Sequence, residues 1–223
     1  MRHLLISLLL AALYSGSLQG QPPGYVGKRS ILSFDNYTFP NLFLVVDEQY
    51  PFRLNYRGGI SGEYVLSRRL SAGVLFNGYQ AQTDYHFRGS YGFMKIDGAD
   101  MGIFLKSYTF RQRGNIAPIG PYQKFELLYT RYRMVDLDRL FYPDARTDLG
   151  RSSDLLIAIS LGTQHVLADR LTYHWGLHSG WLFKVLDQPH TDEREQHLKD
   201  VSTTRIRGIF GLSLNIGIGV LLW

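Results

Sequence analysis

The sequence contains no cysteine among its 223 residues. This excludes a disulfide framework, a thiol nucleophile, a cysteine-based metal site and a lipidated cysteine. Beyond the N-terminal segment, no apolar run approaches the ~20 residues that a membrane-spanning helix requires. The net charge is +5, but no cluster of Lys and Arg lies along a helix, so nucleic-acid binding is not indicated. No motif calls for a cofactor, and a membrane protein without helices has to be a closed β-barrel.

The first twenty residues are typical of a secretory signal. Arg2 and His3 form a short basic start, and the apolar stretch Leu4 to Leu13 follows. Small residues around Ser15 to Ser17 suit cleavage by a signal peptidase. We therefore predict a signal peptide over 1–20, a single domain over 21–223, and export from the cytoplasm. A retained N-terminal anchor is the alternative.

The clearest pattern is an alternating hairpin between Leu54 and Phe76. In its first arm, Tyr56, Ile60 and Tyr64 fall on one face, whereas Arg57 and Glu63 fall on the other. A period of two residues predicts a β-strand. The polar faces of this and later strands are mostly Gly, Ser and Ala, unlike the charge-rich surface of a soluble sheet. Small residues suit the inside of a narrow barrel, and the apolar faces suit contact with lipid.

The same pattern predicts an all-β fold, an eight-stranded antiparallel up-and-down transmembrane β-barrel. Its connections are expected to alternate between longer and shorter, with loops over 85–98, 136–152 and 185–204. A soluble lipocalin-like barrel, whose interior would be the apolar face, is the main rival fold. The predicted strands cover 28–37, 54–66, 70–84, 99–110, 122–135, 153–165, 170–184 and 205–222.

Aromatic residues recur at a spacing that fits a membrane. Tyr56 and Tyr64 share a face and lie eight residues apart, and so do Tyr173 and Trp181. Eight residues span roughly 26 Å along a strand, or ~20 Å along the membrane normal after tilting. This predicts two aromatic girdles, one at each membrane interface, with chance spacing as the alternative.

The interior of an eight-stranded barrel is filled by side chains, so its charged residues need partners. We expect Glu63 and Glu126 to pair with cations of a structural salt-bridge network. A gated proton or ion path is the functional alternative. The inward charged set is Arg57, Glu63, Lys106, Lys124, Glu126 and Arg207.

Two further inward residues, His174 and His178, lie on one face of the seventh strand, with Ser160 and Glu126 as possible neighbours. A lipid-modifying hydrolase would need a serine, a histidine and an acid in contact. Ser179 adjoins His178 but points to the opposite face, so these two cannot act together in a regular strand. Hydrogen-bonded lumen histidines are the simpler interpretation.

Two sites outside the lumen are suggested by charge. His190, Asp192, Glu193 and His197 share the last long loop, but their spacing matches no metal-ligand pattern, and we predict no metal site. Arg131 and Arg133 lie outward near the outer end of the fifth strand, where they are candidates for contact with lipopolysaccharide phosphates. An ordinary solvated strand end is the alternative.

Three short segments carry a family resemblance. Gly24 to Arg29 resembles the start of small outer-membrane β-barrel proteins from Bacteroidetes-type bacteria. Gly114 to Gly120 resembles their central periplasmic turn, and Leu214 to Gly219 their closing strand. More broadly, the chain is similar to eight-stranded OmpA/OmpX-type barrels. One departure is Trp223, which is aromatic but out of phase with the outward residues Leu222 and Val220.

This resemblance implies location in the bacterial outer membrane and no catalytic residue. We expect a monomer with a structural or surface-interaction role, in contact with outer-membrane lipid and lipopolysaccharide, and with the barrel assembly machinery during biogenesis. An external partner would meet the long loops. The alternatives are a small pore for minor solutes and, less favoured, a lipid-modifying enzyme.

Overall fold

The structure, a computed structural model, contains eight β-strands. It describes residues 28–38, 56–87, 90–108, 118–136, 148–167, 170–183, 197, 200–202 and 211–222. The strands are β1 (Ser30–Thr38), β2 (Tyr56–Val65), β3 (Leu70–Phe87), β4 (Ser90–Tyr108), β5 (Gly120–Asp136), β6 (Asp148–Leu167), β7 (Leu171–Phe183) and β8 (Ser213–Leu221).

Each strand pairs antiparallel with the next, and β8 pairs with β1, so the sheet closes into a barrel. Phe34 of β1, for example, lies opposite Ile60 of β2 on one side and Ile218 of β8 on the other. The predicted eight-stranded all-β barrel is thereby confirmed. We call the end with the connections 66–69 and 168–170 the turn end, and the opposite end the loop end.

The predicted division of the strands into two faces is also confirmed. On β7, Thr172, His174 and His178 are buried, whereas Leu177 and Trp181 are more than half exposed. Successive side chains of a strand point to opposite faces, and the closed sheet turns one of these faces inward. Here the polar face is the inner one, which excludes the lipocalin-like arrangement with an apolar interior.

The strands differ in length in a way that the sequence did not predict. The four strands β3 to β6 have 17 to 20 residues, whereas β1, β2, β7 and β8 have 9 to 13. The predicted loop over 85–98 is wrong. Residues 85–87 continue β3 and residues 90–98 begin β4, and the two strands stay paired as far as Phe87 opposite Ser90.

The predicted alternation of longer and shorter connections is consequently wrong at this hairpin, where only residues 88 and 89 separate the two strands. The predicted loop over 136–152 is too long, because β6 already begins at Asp148. The last strand begins at Ser213 rather than at the predicted residue 205. The predicted signal over 1–20, Arg207 and Trp223 lie outside the described residues.

Near the loop end, the inner face changes from polar to mainly apolar. An apolar cluster there includes Met94, Ile96, Met134 and Leu182. Val201 packs against this cluster, and the buried Ser202 places its Oγ 3.3 Å from Met94 Sδ. Val201 and Ser202 therefore lie against the inner face of the long strands. Within the described ranges, no helix is long and apolar enough to cross a membrane.

Candidate functional site

The candidate site is the set of charged side chains inside the barrel. The structure places Arg57, Glu63, Lys106, Lys124 and Glu126 on the inner face, all at most 7% exposed. Arg207, the sixth predicted member, lies outside the described residues. A buried charge is costly unless it is paired and hydrogen-bonded, so the contacts of these groups decide what the interior does.

Arg57 forms the central ion pair. Its Nε lies 2.8 Å from Oδ2 of Asp100, and its Nη2 donates to Oδ1 at 3.1 Å, a bidentate arrangement. Asn77 Nδ2 donates to the same Oδ1 at 2.7 Å, and the Arg57 guanidinium lies 4.0 Å from the ring centre of Tyr37. Bidentate arginine–carboxylate contacts are strong and directional. They fix the guanidinium across the middle of the lumen.

A second ion pair lies nearer the turn end. Lys106 Nζ is 3.0 Å from Oε2 of Glu63, and it also donates to Oε1 of Gln164. The other oxygen of Glu63 accepts hydrogen bonds from Ser71 Oγ at 2.5 Å and Tyr108 OH at 2.6 Å. Both oxygens of this carboxylate are therefore satisfied by neighbours on β3 and β4.

Lys124 and Glu126 form a third pair along β5, with Nζ 2.7 Å from Oε1. The other oxygen of Glu126 lies 3.2 Å from Nε2 of His178 on β7. The same ring nitrogen is 3.4 Å from Nη1 of Arg57. This histidine joins the Lys124–Glu126 pair to the Arg57–Asp100 pair, so these two ion pairs form one connected network.

The other predicted lumen histidine, His174, contacts a different carboxylate. His174 Nε2 lies 2.7 Å from Oδ1 of Asp35 on β1. Gly217 of β8 lies between the two strands, and a Cβ at this position would contact the His174 ring and come within 2.8 Å of Asp35 Oδ1. Glycine at 217 thus leaves the space that the His174–Asp35 pair occupies.

The geometry does not form a hydrolytic triad. Ser160 and His178 are directly opposite each other on β6 and β7, and Glu126 is within reach of His178. Among the described residues, however, Ser160 Oγ has no hydrogen-bond partner, so the serine–histidine contact that activates a nucleophile is not made. Both residues are fully buried. This arrangement belongs to the packed interior.

Sequence reasoning missed two acids of this network, Asp35 and Asp100. The inward position of Asp100 could have been predicted, because this residue alternates with the outward residues Met101 and Ile103. Asp35 belongs to the first predicted strand, 28–37, for which the sequence analysis assigned no inner face. Its inward position follows only from the pairing of β1 with both β2 and β8.

The predicted aromatic residues lie on the outer face in two rows. Tyr56 and Trp181 lie toward the loop end, whereas Tyr64 and Tyr173 lie toward the turn end. Tyr56, Tyr64 and Trp181 are about half exposed, and the Tyr173 ring stacks on His165 with centroids 4.9 Å apart. These positions are those that two girdles require, and the girdle function remains a prediction.

The predicted rim arginines, Arg131 and Arg133, are exposed on the outer face of β5 toward the loop end. Of the weighed metal ligands, His190, Asp192 and Glu193 lie outside the described residues, and His197 is half-buried. Within the part of the chain that the structure describes, no group of three or more potential ligands could hold a metal ion.

A scan of protein-family models and a search of curated proteins found no match. The family expected from the short motifs therefore stays a prediction. Among solved structures, the chain is similar to the N-terminal β-barrel domain of Pseudomonas aeruginosa OprF. The identity is 8%, the TM-score is 0.45, and the match covers 87% of this chain and 98% of that one.

Proposed function

We propose that this protein is a bacterial outer-membrane barrel that spans the lipid bilayer and has a structural or surface-interaction role. One observation carries the proposal: the closed barrel is apolar outside and charged inside. Large hydrophobic side chains such as Val74, Ile103 and Leu177 are more than half exposed, whereas Arg57 and Asp100 are fully buried. A barrel with so many exposed hydrophobic side chains on its outer face would be insoluble in water. Such an outer face matches the lipid-facing band of a membrane barrel.

The dimensions agree with this proposal. A nine-residue strand such as β8 is roughly 30 Å long, which after tilting crosses an apolar band of about 25 Å. The 18 residues of β3 and 19 of β4 extend roughly twice as far. The long strands therefore project from the membrane at the loop end, where they provide a surface for an external partner.

The filled interior favours this role over a pore. Arg57, Asp100, His178 and Glu126 contact one another across the lumen, and all four are buried. Eight strands enclose a space that side chains of opposite walls fill. An ion would have to break several charge-assisted hydrogen bonds to pass, so we propose a packed core rather than a conducting path.

The proposal is tested by refolding the urea-denatured protein into phosphatidylcholine vesicles. We expect vesicle-bound protein whose folded form migrates differently from the boiled form on a gel. We also expect trypsin to leave a protected barrel fragment. A protein that folds in detergent-free buffer and stays in solution, with no association with vesicles, would overturn the proposal.

A matched variant separates insertion from general folding. Leu177→Arg places a charge in the middle of the outer apolar face, whereas Arg131→Gln removes one at its rim. We expect the first to lower the yield of vesicle-inserted protein strongly and the second to leave it unchanged, because a charge costs most at the centre of the bilayer.

A further inference from the structure

We call the band of exposed outward hydrophobic side chains, such as Val74, Ile103 and Leu127, the apolar belt. Several basic residues lie next to it at one place on the loop end of the outer face. On β5, Tyr129 lies opposite Met101 of β4 and Leu155 of β6, and all three point outward. The next outward residues of β5 toward the loop end are Arg131 and Arg133, both exposed. The outer face of β5 therefore changes from apolar to basic between Tyr129 and Arg131.

The pairing of β5 with β6 adds an arginine that the sequence did not single out. Arg133 is directly opposite Arg151, which is also exposed on the outer face. Two exposed arginines directly opposite each other on neighbouring strands can both reach one anion.

The surrounding charges leave the patch basic. On β4, Lys95 pairs with Asp97 at 3.0 Å, and Asp97 lies opposite Arg133. Among the outward side chains that the structure describes on this part of β4 to β6, four are basic (Lys95, Arg131, Arg133 and Arg151) and only Asp97 is acidic.

Among the outward residues that the structure describes, the basic patch lies on this side of the barrel. Described residues at the corresponding rim of the short strands are uncharged: Asn36 on β1, Tyr56 on β2 and Phe183 on β7. The cluster marks one position on the circumference where β5 and β6 leave the apolar belt.

We propose that Arg131, Arg133 and Arg151 bind the phosphate group of a phosphorylated lipid in the outer leaflet. The planar guanidinium presents paired donors that match phosphate oxygens, and two facing arginines can hold one phosphate between them. The acyl chains of the same lipid would lie along the apolar belt below, starting at Tyr129 and Leu127. This inference rests on the proposed membrane location.

The test measures the affinity of lipid A, a phosphorylated glycolipid, for the refolded protein in neutral detergent by native mass spectrometry. The site variant is R133Q/R151Q. The control is R69Q/R170Q, which removes the same charge from two exposed arginines at the turn end. Basic residues near a lipid surface contribute about 1 kcal/mol each, so we expect about thirty-fold weaker binding for the site variant. The control should stay within about twofold of the original protein.

Equal affinities for all three proteins would overturn the proposed site. Displacement of lipid A by an equal concentration of inorganic phosphate would also overturn it, because the site would then bind phosphate ions rather than a lipid. If the site variant does not refold, raising the salt concentration for the original protein provides the second measurement. We expect the affinity to fall steeply between 0.05 and 0.5 M salt, and an unchanged affinity would contradict the proposal. Insertion into phosphatidylcholine vesicles is measured separately, so failure of this site would leave the membrane assignment standing.

Discussion

The two faces of β4 show opposite chemistry over the same few residues. Outward, Met101 and Ile103 are more than half exposed, whereas inward Asp100 and Lys106 are almost completely buried. In a soluble protein these burial patterns would be reversed. A strand that alternates in this way gains stability only if its outer face meets lipid and its inner face meets charged partners. Substitutions on the inner face therefore test the buried ion pairs, and substitutions on the outer face of the same strand test the contact with lipid.

The largest expected effect is loss of the central carboxylate. Asp100→Ala leaves the fully buried Arg57 without its bidentate partner. Breaking a buried ion pair from one side costs about 3–5 kcal/mol. We expect this loss in the free energy of unfolding, measured by urea titration with tryptophan fluorescence in vesicles.

The matched control on the same strand is Asp97→Ala. Asp97 points outward, and its ion pair with Lys95 is partly exposed, so we expect a change of less than about 1 kcal/mol. The double variant R57M/D100L removes both buried charges and should be more stable than D100A. Similar costs for D100A and D97A would show that the inner face is not a closed ionic core.

The next largest effect concerns the outer face. Ile103→Arg introduces a charge in the apolar belt and should cost about 2–4 kcal/mol in a membrane. Ser107→Arg, on the same face nearer the turn end, should cost about 0–1 kcal/mol. The measurement is urea unfolding of both variants in phosphatidylcholine vesicles. An equal, small effect would mean that the outer face does not contact lipid.

A smaller effect is expected at the inner glycine of β8. Gly217→Ala adds a methyl group where the ring of His174 and the carboxylate of Asp35 already lie. Overpacking of this kind typically costs about 1–3 kcal/mol. Gly78→Ala is the control, because nothing lies within 4 Å of the added Cβ.

Thermal unfolding followed by circular dichroism would separate these two glycine variants. We expect a lower midpoint for Gly217→Ala and a nearly unchanged midpoint for Gly78→Ala. If the two midpoints were equal, the His174–Asp35 pair could not depend on the space that Gly217 leaves.

Alternation alone was sufficient to predict the architecture and most of the inward charges. Arg57 and Lys106 follow from their phase relative to Ile60 and Leu105, since period two assigns faces without knowledge of the neighbours. Partners cannot be assigned in this way. The contact between Arg57 and Asp100 joins β2 to β4 over 43 residues, and it depends on the register of three strands.

The predicted loop over 85–98 failed for a different reason. Its polar and aromatic residues lack the apolar alternation of the belt, which the sequence analysis used to recognise strands. Strand pairing in β3 and β4 continues beyond the belt, where the outward side does not need to be apolar. Backbone hydrogen bonds, rather than lipid contact, define the strand there. The Arg133–Arg151 pair was missed for the same reason, because Arg151 was placed in the predicted loop over 136–152.

The most direct test of the packed interior is electrical conductance. Refolded protein, shown to be folded by its heat-modifiable migration, would be inserted into a planar lipid bilayer and recorded at the single-channel level. A lumen filled by the Arg57–Asp100, Glu63–Lys106 and Lys124–Glu126 pairs predicts no steady current from inserted protein. Reproducible openings of constant size would contradict the packed core and make these same residues the candidates for ion selectivity.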